Sequence, residues 1–119
     1  MLRPLHFLGS SLRDLRTFPP DARTETGFAL YEAQKGEKAD NAYPLVGFGG
    51  AKVLEIIIDQ NGDTYRGVYT VKFAKAVYVL HCFKKKSKRG IATPQADLER
   101  IRERLKAAER HYAEHYPRS

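Results

Sequence analysis

Five cations, Lys84, Lys85, Lys86, Lys88 and Arg89, fall within six residues, directly after an apolar run that ends in Phe83. Such a cluster binds phosphate: each phosphate neutralised adds a salt-dependent increment of affinity, and RNA is the leading polyanion. Its bland counterpart is a solvated loop. The charge distribution favours binding, because residues 1–83 carry 10 Lys/Arg against 9 Asp/Glu, whereas residues 84–119 carry 11 against 5. A generic solubility charge need not segregate in this way. Arg66 is the second candidate, since a guanidinium on a sheet can hold a phosphate bidentately and stabilise charge developing at phosphorus. Its competing use is a cross-strand ion pair with Glu55, and the two uses are compatible if Glu55 orients Arg66. His81 has the chemistry of a general acid or base in RNA cleavage, although a histidine in so apolar a strand is more often buried and hydrogen-bonded. Cys82 has no activating partner in sequence and reads as a small core residue.

The tyrosines are a weaker signal. Seven Tyr and no Trp in a basic chain offer stacking platforms for bases. Tyr65, Tyr69 and Tyr78 fall in predicted strands, however, and Tyr112 lies on an apolar helical stripe, so core packing accounts for them. Gly47, Gly49 and Gly50 are not closed by Gly-Lys-Ser/Thr and form no phosphate loop.

The elements that must position these residues read β-α-α-β-β-β-α. Leu5 to Leu8 predicts a first strand. Ser10 or Ser11 caps a short helix carrying Leu12, Leu15 and Phe18. Pro19-Pro20 breaks it and opens a second helix that runs to about Lys35 and stops at Gly36. Residues 37–52 contain Pro44, Gly47, Gly49 and Gly50 and read as loop. Val53 to Asp59 is a strand, Asn61-Gly62 is a hairpin signal, and Thr64 to Lys72 is the partner strand. With Asn61-Gly62 at the two central turn positions, Ile57 faces Arg66. Leu54, Ile56, Ile58, Tyr65, Tyr69 and Val71 then share the core face, and Glu55, Ile57, Arg66, Val68 and Lys72 share the other. Val77 to Phe83 forms the next strand, followed by a basic loop to Ala92. Thr93 reads as an N-cap with Pro94 at the first helical position, and Leu98, Ile101, Leu105, Ala108 and Tyr112 give the last helix one apolar stripe.

At 119 residues the chain is expected to form a single domain over 1–119. It has no window of about 18 uninterrupted apolar residues and no secretory leader pattern. A lone cysteine fits a reducing cytoplasm, and four scattered histidines give no metal-ligand spacing.

Four segments together resemble the RelE/ParE superfamily of toxins from type II toxin–antitoxin modules, in its HigB-like, phage-associated branch. They are Val53 to Ile58, Thr64 to Tyr69 (with the Tyr-Arg-x-x-Tyr pattern), Tyr78 to Ser87 (with Phe-Lys-Lys-Lys), and Thr93 to Leu98 leading into a helix. The resemblance covers about residues 4–112. It implies an α+β, RelE-like fold, with N-terminal helices packed on a small, twisted, mainly antiparallel sheet and a C-terminal helix. It also implies a metal- and cofactor-independent endoribonuclease that cuts mRNA on the ribosome and is silenced by a cognate antitoxin, a helix-turn-helix protein by family expectation. By this carry-over Arg66 stabilises the phosphorane-like transition state, and one of Lys84, Lys85 and Lys86 is the base. His81 or Tyr69 is the acid, Lys72, Phe83, Lys88 and Arg89 bind RNA, and Glu55 orients Arg66. The rival implications are a ParE-type gyrase inhibitor and a non-catalytic basic RNA- or ribosome-binding module. Glu55 stands where the strongest ribonucleases of the superfamily carry Lys or Arg, and a long helix follows the last strand where several carry a catalytic Tyr or His.

Overall fold

Asn61 and Gly62 turn the chain with φ of 51° and 85°, the pair of positive values that a two-residue hairpin needs. This turn joins β3 (Val53–Gln60) to β4 (Asp63–Thr70), with Gln60 opposite Asp63 and Ile57 opposite Arg66, the predicted register. A computed structural model describes residues 1–86 and 93–117. Its other elements are β1 (Leu5–Phe7), α1 (Ser11–Leu15), α2 (Pro20–Gln34), β2 (Ala42–Pro44), β5 (Val77–Lys86) and α3 (Gln95–His115). The sheet order is β1-β5-β4-β3-β2, antiparallel except for β1 alongside β5. The fold is α+β, as the resemblance implied.

The helices lie on opposite faces of the sheet. Ala22, Ala29, Leu30 and Ala33 of α2 join Leu54, Ile56, Ile58, Tyr65 and Tyr69 in one buried cluster. These small side chains let the helix come close: a Cβ on Gly67 would lie 3.4 Å from Thr26 Cγ2. Gly36, with φ of 89°, ends α2 where predicted. On the other face Ile101 and Ala108 of α3 pack with Val53, Val68, Tyr78 and Leu80. The period-2 alternation of β3 and β4 therefore feeds two cores, with Arg66 and Glu55 on the α3 side.

Three expectations are corrected. Residues 42–44 are an edge strand, paired with β3, rather than loop. A strand this short, ending in proline, leaves almost no alternation to read. Thr70 ends β4, so Lys72 lies beyond the ladder. Finally, β5 does not stop at Phe83 but runs through Lys84, Lys85 and Lys86, opposite Tyr65, Thr64 and Asp63. The hairpin offers unpaired backbone groups there, and pairing satisfies them whatever the side-chain charge.

Candidate functional site

The strand alternation sorts the basic residues. Arg66 sits opposite Phe83, and Lys85, two residues further along β5, shares its face. Arg66 is 6% exposed. Its Nη1 faces both carboxylate oxygens of Glu55 at 3.4 Å, and Glu55 Oε2 also accepts from Thr93 Oγ1 at 3.0 Å. Burial, and after it the Arg66 charge, hold the Lys85 amine below the ordinary lysine range, while Glu55 and Asp97 pull it back up. A lysine so placed gives up a proton more readily than one in water. The pairing of Arg66 with Glu55 and a lysine lowered chiefly by burial, and only secondarily by a neighbouring cation as expected, meet at one spot.

Lys84 points to the other side. It is exposed and pairs with Asp63 at 3.3 Å, so a strand that carries consecutive lysines divides them between two faces. Lys86 is described only in its backbone, and Lys88 and Arg89 lie outside the described residues. Phe83 is half-buried and stacks on His81, with ring centroids 4.7 Å apart. Lys72 is drawn away from this end of the sheet. It forms an ion pair with Glu109 of α3 and lies over the Phe73 ring, past the Thr70 end of β4. It does not join the cluster.

The two acid candidates are placed unlike Arg66 and Lys85. Tyr69 is 1% exposed in the α2-side core, so the sheet lies between its hydroxyl and Arg66. Burial pushes that hydroxyl up to about 12. His81 does face α3, because Leu80 is an extra residue in the ladder: Val68 pairs with His81 and Tyr69 with Val79. Both ring nitrogens of His81 are occupied. Nε2 lies 2.7 Å from Asp97 Oδ1, and Nδ1 lies 3.5 Å from Arg104 Nη1. A carboxylate only accepts and a guanidinium only donates, so the proton is on Nε2 and Nδ1 is the acceptor. Burial is the main cause that lowers the His81 pKa, Arg104 and Arg100 add to it, and Asp97 opposes it. Burial likewise pushes the Cys82 thiol up to about 12, in keeping with a core role.

Sequence reasoning missed Asp97, Thr93 and Arg104 as parts of this region. Arg104 joins three elements, donating to the Leu80 carbonyl at 3.0 Å and to Ser10 Oγ at 3.2 Å. Gly9 makes room for it, since a Cβ there would lie 2.7 Å from the guanidinium. The one available signal was polar residues on the sheet side of α3, next to its apolar stripe. Among the described residues no group of three or more His, Cys, Asp or Glu is arranged to hold a metal, and no helix is long and apolar enough to cross a membrane.

Residues 13–106 match the family model described as phage derived protein Gp49-like. No curated relative matches the chain in sequence. Two solved structures are similar in fold. One is a double arginine-to-alanine mutant of the E. coli toxin RelE in the free state, with a TM-score of 0.56, 21% identity, and coverage of 90% of this chain and 98% of that one. The other is the isolated E. coli RelE toxin, with a TM-score of 0.54, 22% identity, and coverage of 85% and 97%.

Proposed function

The chain belongs to the phage-derived Gp49-like family and has the RelE fold, and from that premise we propose that it is the toxin of a type II toxin–antitoxin module, acting as a ribosome-dependent mRNA endoribonuclease. The observation that carries this reading is the shared face of Arg66 and Lys85, with the Glu55 carboxylate acting on both. RNA supplies its own nucleophile, the 2′-hydroxyl next to the scissile phosphate, so the reaction as proposed uses neither metal nor cofactor.

In this scheme Lys85, in its neutral form, removes the 2′-hydroxyl proton as the oxygen attacks phosphorus. Arg66 holds the non-bridging oxygens and stabilises the charge that builds on them, a contribution of about 10²–10³ in rate for a well-placed donor. Glu55 keeps the guanidinium oriented until phosphate replaces it. The leaving 5′-oxygen takes its proton from water, since Tyr69 is on the far face and His81 is committed to Asp97 and Arg104. Lys84, on the opposite face of β5, binds backbone rather than reacting.

The cognate antitoxin, a helix-turn-helix protein in this proposal, and the translating ribosome are the partners. Expression followed by mapping of mRNA ends tests the reading. Codon-phased cuts support it, DNA breaks with intact mRNA point to the gyrase-inhibitor alternative, and neither outcome leaves a non-catalytic binding module.

A further inference from the structure

The sequence favours Thr93 as the N-cap of α3 with Pro94 at the first helical position. In the structure Pro94 is itself the N-cap, with φ of −58° and ψ of 150°, and it gives the helix no side-chain cap. The groups best placed to cap it are used on the sheet instead. Thr93 Oγ1 donates to Glu55 at 3.0 Å, and Asp97, in the first turn, accepts from His81 at 2.7 Å. The rest of α3 is anchored differently. Ile101 and Ala108 are buried, Arg104 holds the Leu80 carbonyl at 3.0 Å, and Tyr78 and His111 bond at 2.7 Å. Ahead of Ile101 the helix buries no side chain fully.

Glu55, which Thr93 holds, and its ion-pair partner Arg66 are each 6% exposed. A phosphate cannot reach a covered guanidinium. We infer that the start of α3 is a gate over the Arg66–Glu55 pair, latched by Thr93 on Glu55 and by Asp97 on His81, and that RNA reaches Arg66 only when the latch releases. The inference rests on the ribonuclease reading and adds its regulation.

The open state has a ready alternative structure. Turning ψ of Pro94 from 150° to a helical value near about −40° makes Thr93 the N-cap and Pro94 the first helical residue. The Thr93 hydroxyl then accepts from the amide of Gln95 or Ala96 in place of donating to Glu55. The same side chain is satisfied in both states, so one torsion separates two competent arrangements. The closed form shields a buried ion pair from water. The open form lets a phosphate replace Glu55 as the counter-ion of Arg66, and a ligand that binds only that form draws the population toward it.

Phenylglyoxal, which modifies arginine, reports the gate directly. The full chain is labelled and the rate at each arginine followed by mass spectrometry, for wild type, for Thr93→Val with Asp97→Ala, and for Thr93→Ser. Arg66 should react at least about fivefold faster in the double variant, because a site behind a gate reacts in proportion to the open fraction. Exposed Arg100 and Arg110 keep their rates, and Thr93→Ser, which retains the hydroxyl, stays close to wild type. Unchanged amide-exchange protection at Val79 and Leu80 shows that the sheet is intact; if the double variant loses it, Thr93→Val alone, which removes the donor to Glu55, serves with the same outcomes. Equal Arg66 rates in variant and wild type overturn the gate. A wild type that gates Arg66 but cuts no RNA removes the ribonuclease reading and keeps the gate, whereas RNA cutting with ungated Arg66 does the reverse.

Discussion

Neutralising Glu55 should cost far more than breaking a surface ion pair. The Glu55 and Arg66 side chains are each 7% exposed and meet at 3.4 Å. At an effective dielectric of about 20, their attraction over that distance is about 5 kcal/mol. Two things reduce it. Both groups left water on folding, and a single nitrogen faces both carboxylate oxygens at 3.4 Å, longer than the roughly 2.7–2.9 Å of a strong charge-assisted bond. A coupling of about 2 kcal/mol remains. Glu55→Gln keeps the shape and an acceptor for Thr93 but removes the anionic charge beside the guanidinium, at a cost of about 3 kcal/mol. Urea unfolding of Glu55→Gln, Arg66→Met and the double variant measures the coupling, and the double variant should cost about 2 kcal/mol less than the two singles added. A coupling under about 0.5 kcal/mol would show that Glu55 does not hold Arg66, and the orienting role would go with it.

Stability should fall as pH drops below neutral. Burial lowers the pKa of His81 and of His6, in the latter with help from His111 and His115, so protons bind the unfolded chain more readily. The stability these histidines contribute is complete above about pH 6.5 and drains as pH falls through their folded values; urea midpoints that hold steady down to pH 5 would refute this. Lys85→Ala should abolish growth arrest in expressing cells, whereas Lys84→Ala, on the other face and paired with Asp63, should weaken ribosome binding and lower its salt slope by about one. Equal effects of the two substitutions would mean that the face does not matter. Gly9→Ala should destabilise by about 1–3 kcal/mol in urea unfolding, because φ is +55° and the new Cβ would displace the Arg104 guanidinium. Unchanged stability would show that neither the positive φ nor the Arg104 contact constrains this position.

Much of the scaffold was legible because local chemistry decided it. Asn61-Gly62 fixed the hairpin and its register, and with it the face shared by Glu55 and Arg66. Gly36 marked the end of α2 because the chain needs a positive φ there. Sequence was blind where pairing overrode composition. Lys84 to Lys86 read as loop by charge, yet β4 offered them a ladder. The extra residue at Leu80 was invisible to an alternation argument, and it turns His81 toward α3 and Asp97. Thr93 was read as a cap because its local preference is clear, while its bond to Glu55 joins residues 38 positions apart. Asp97 and Arg104 were missed for the same reason: their partners are distant in sequence, and helical spacing alone does not reveal them.

The central claim is that Arg66 and Lys85 perform the chemistry rather than only binding RNA. It is tested most directly by single-turnover cleavage of mRNA on purified translating ribosomes saturated with wild type, Arg66→Lys or Lys85→Arg. Each variant keeps the positive charge but loses the fork geometry or the readily lost proton. The account predicts ribosome occupancy equal to wild type and cleavage slowed by about 10² or more in both. Cleavage within about threefold of wild type at equal occupancy would contradict it.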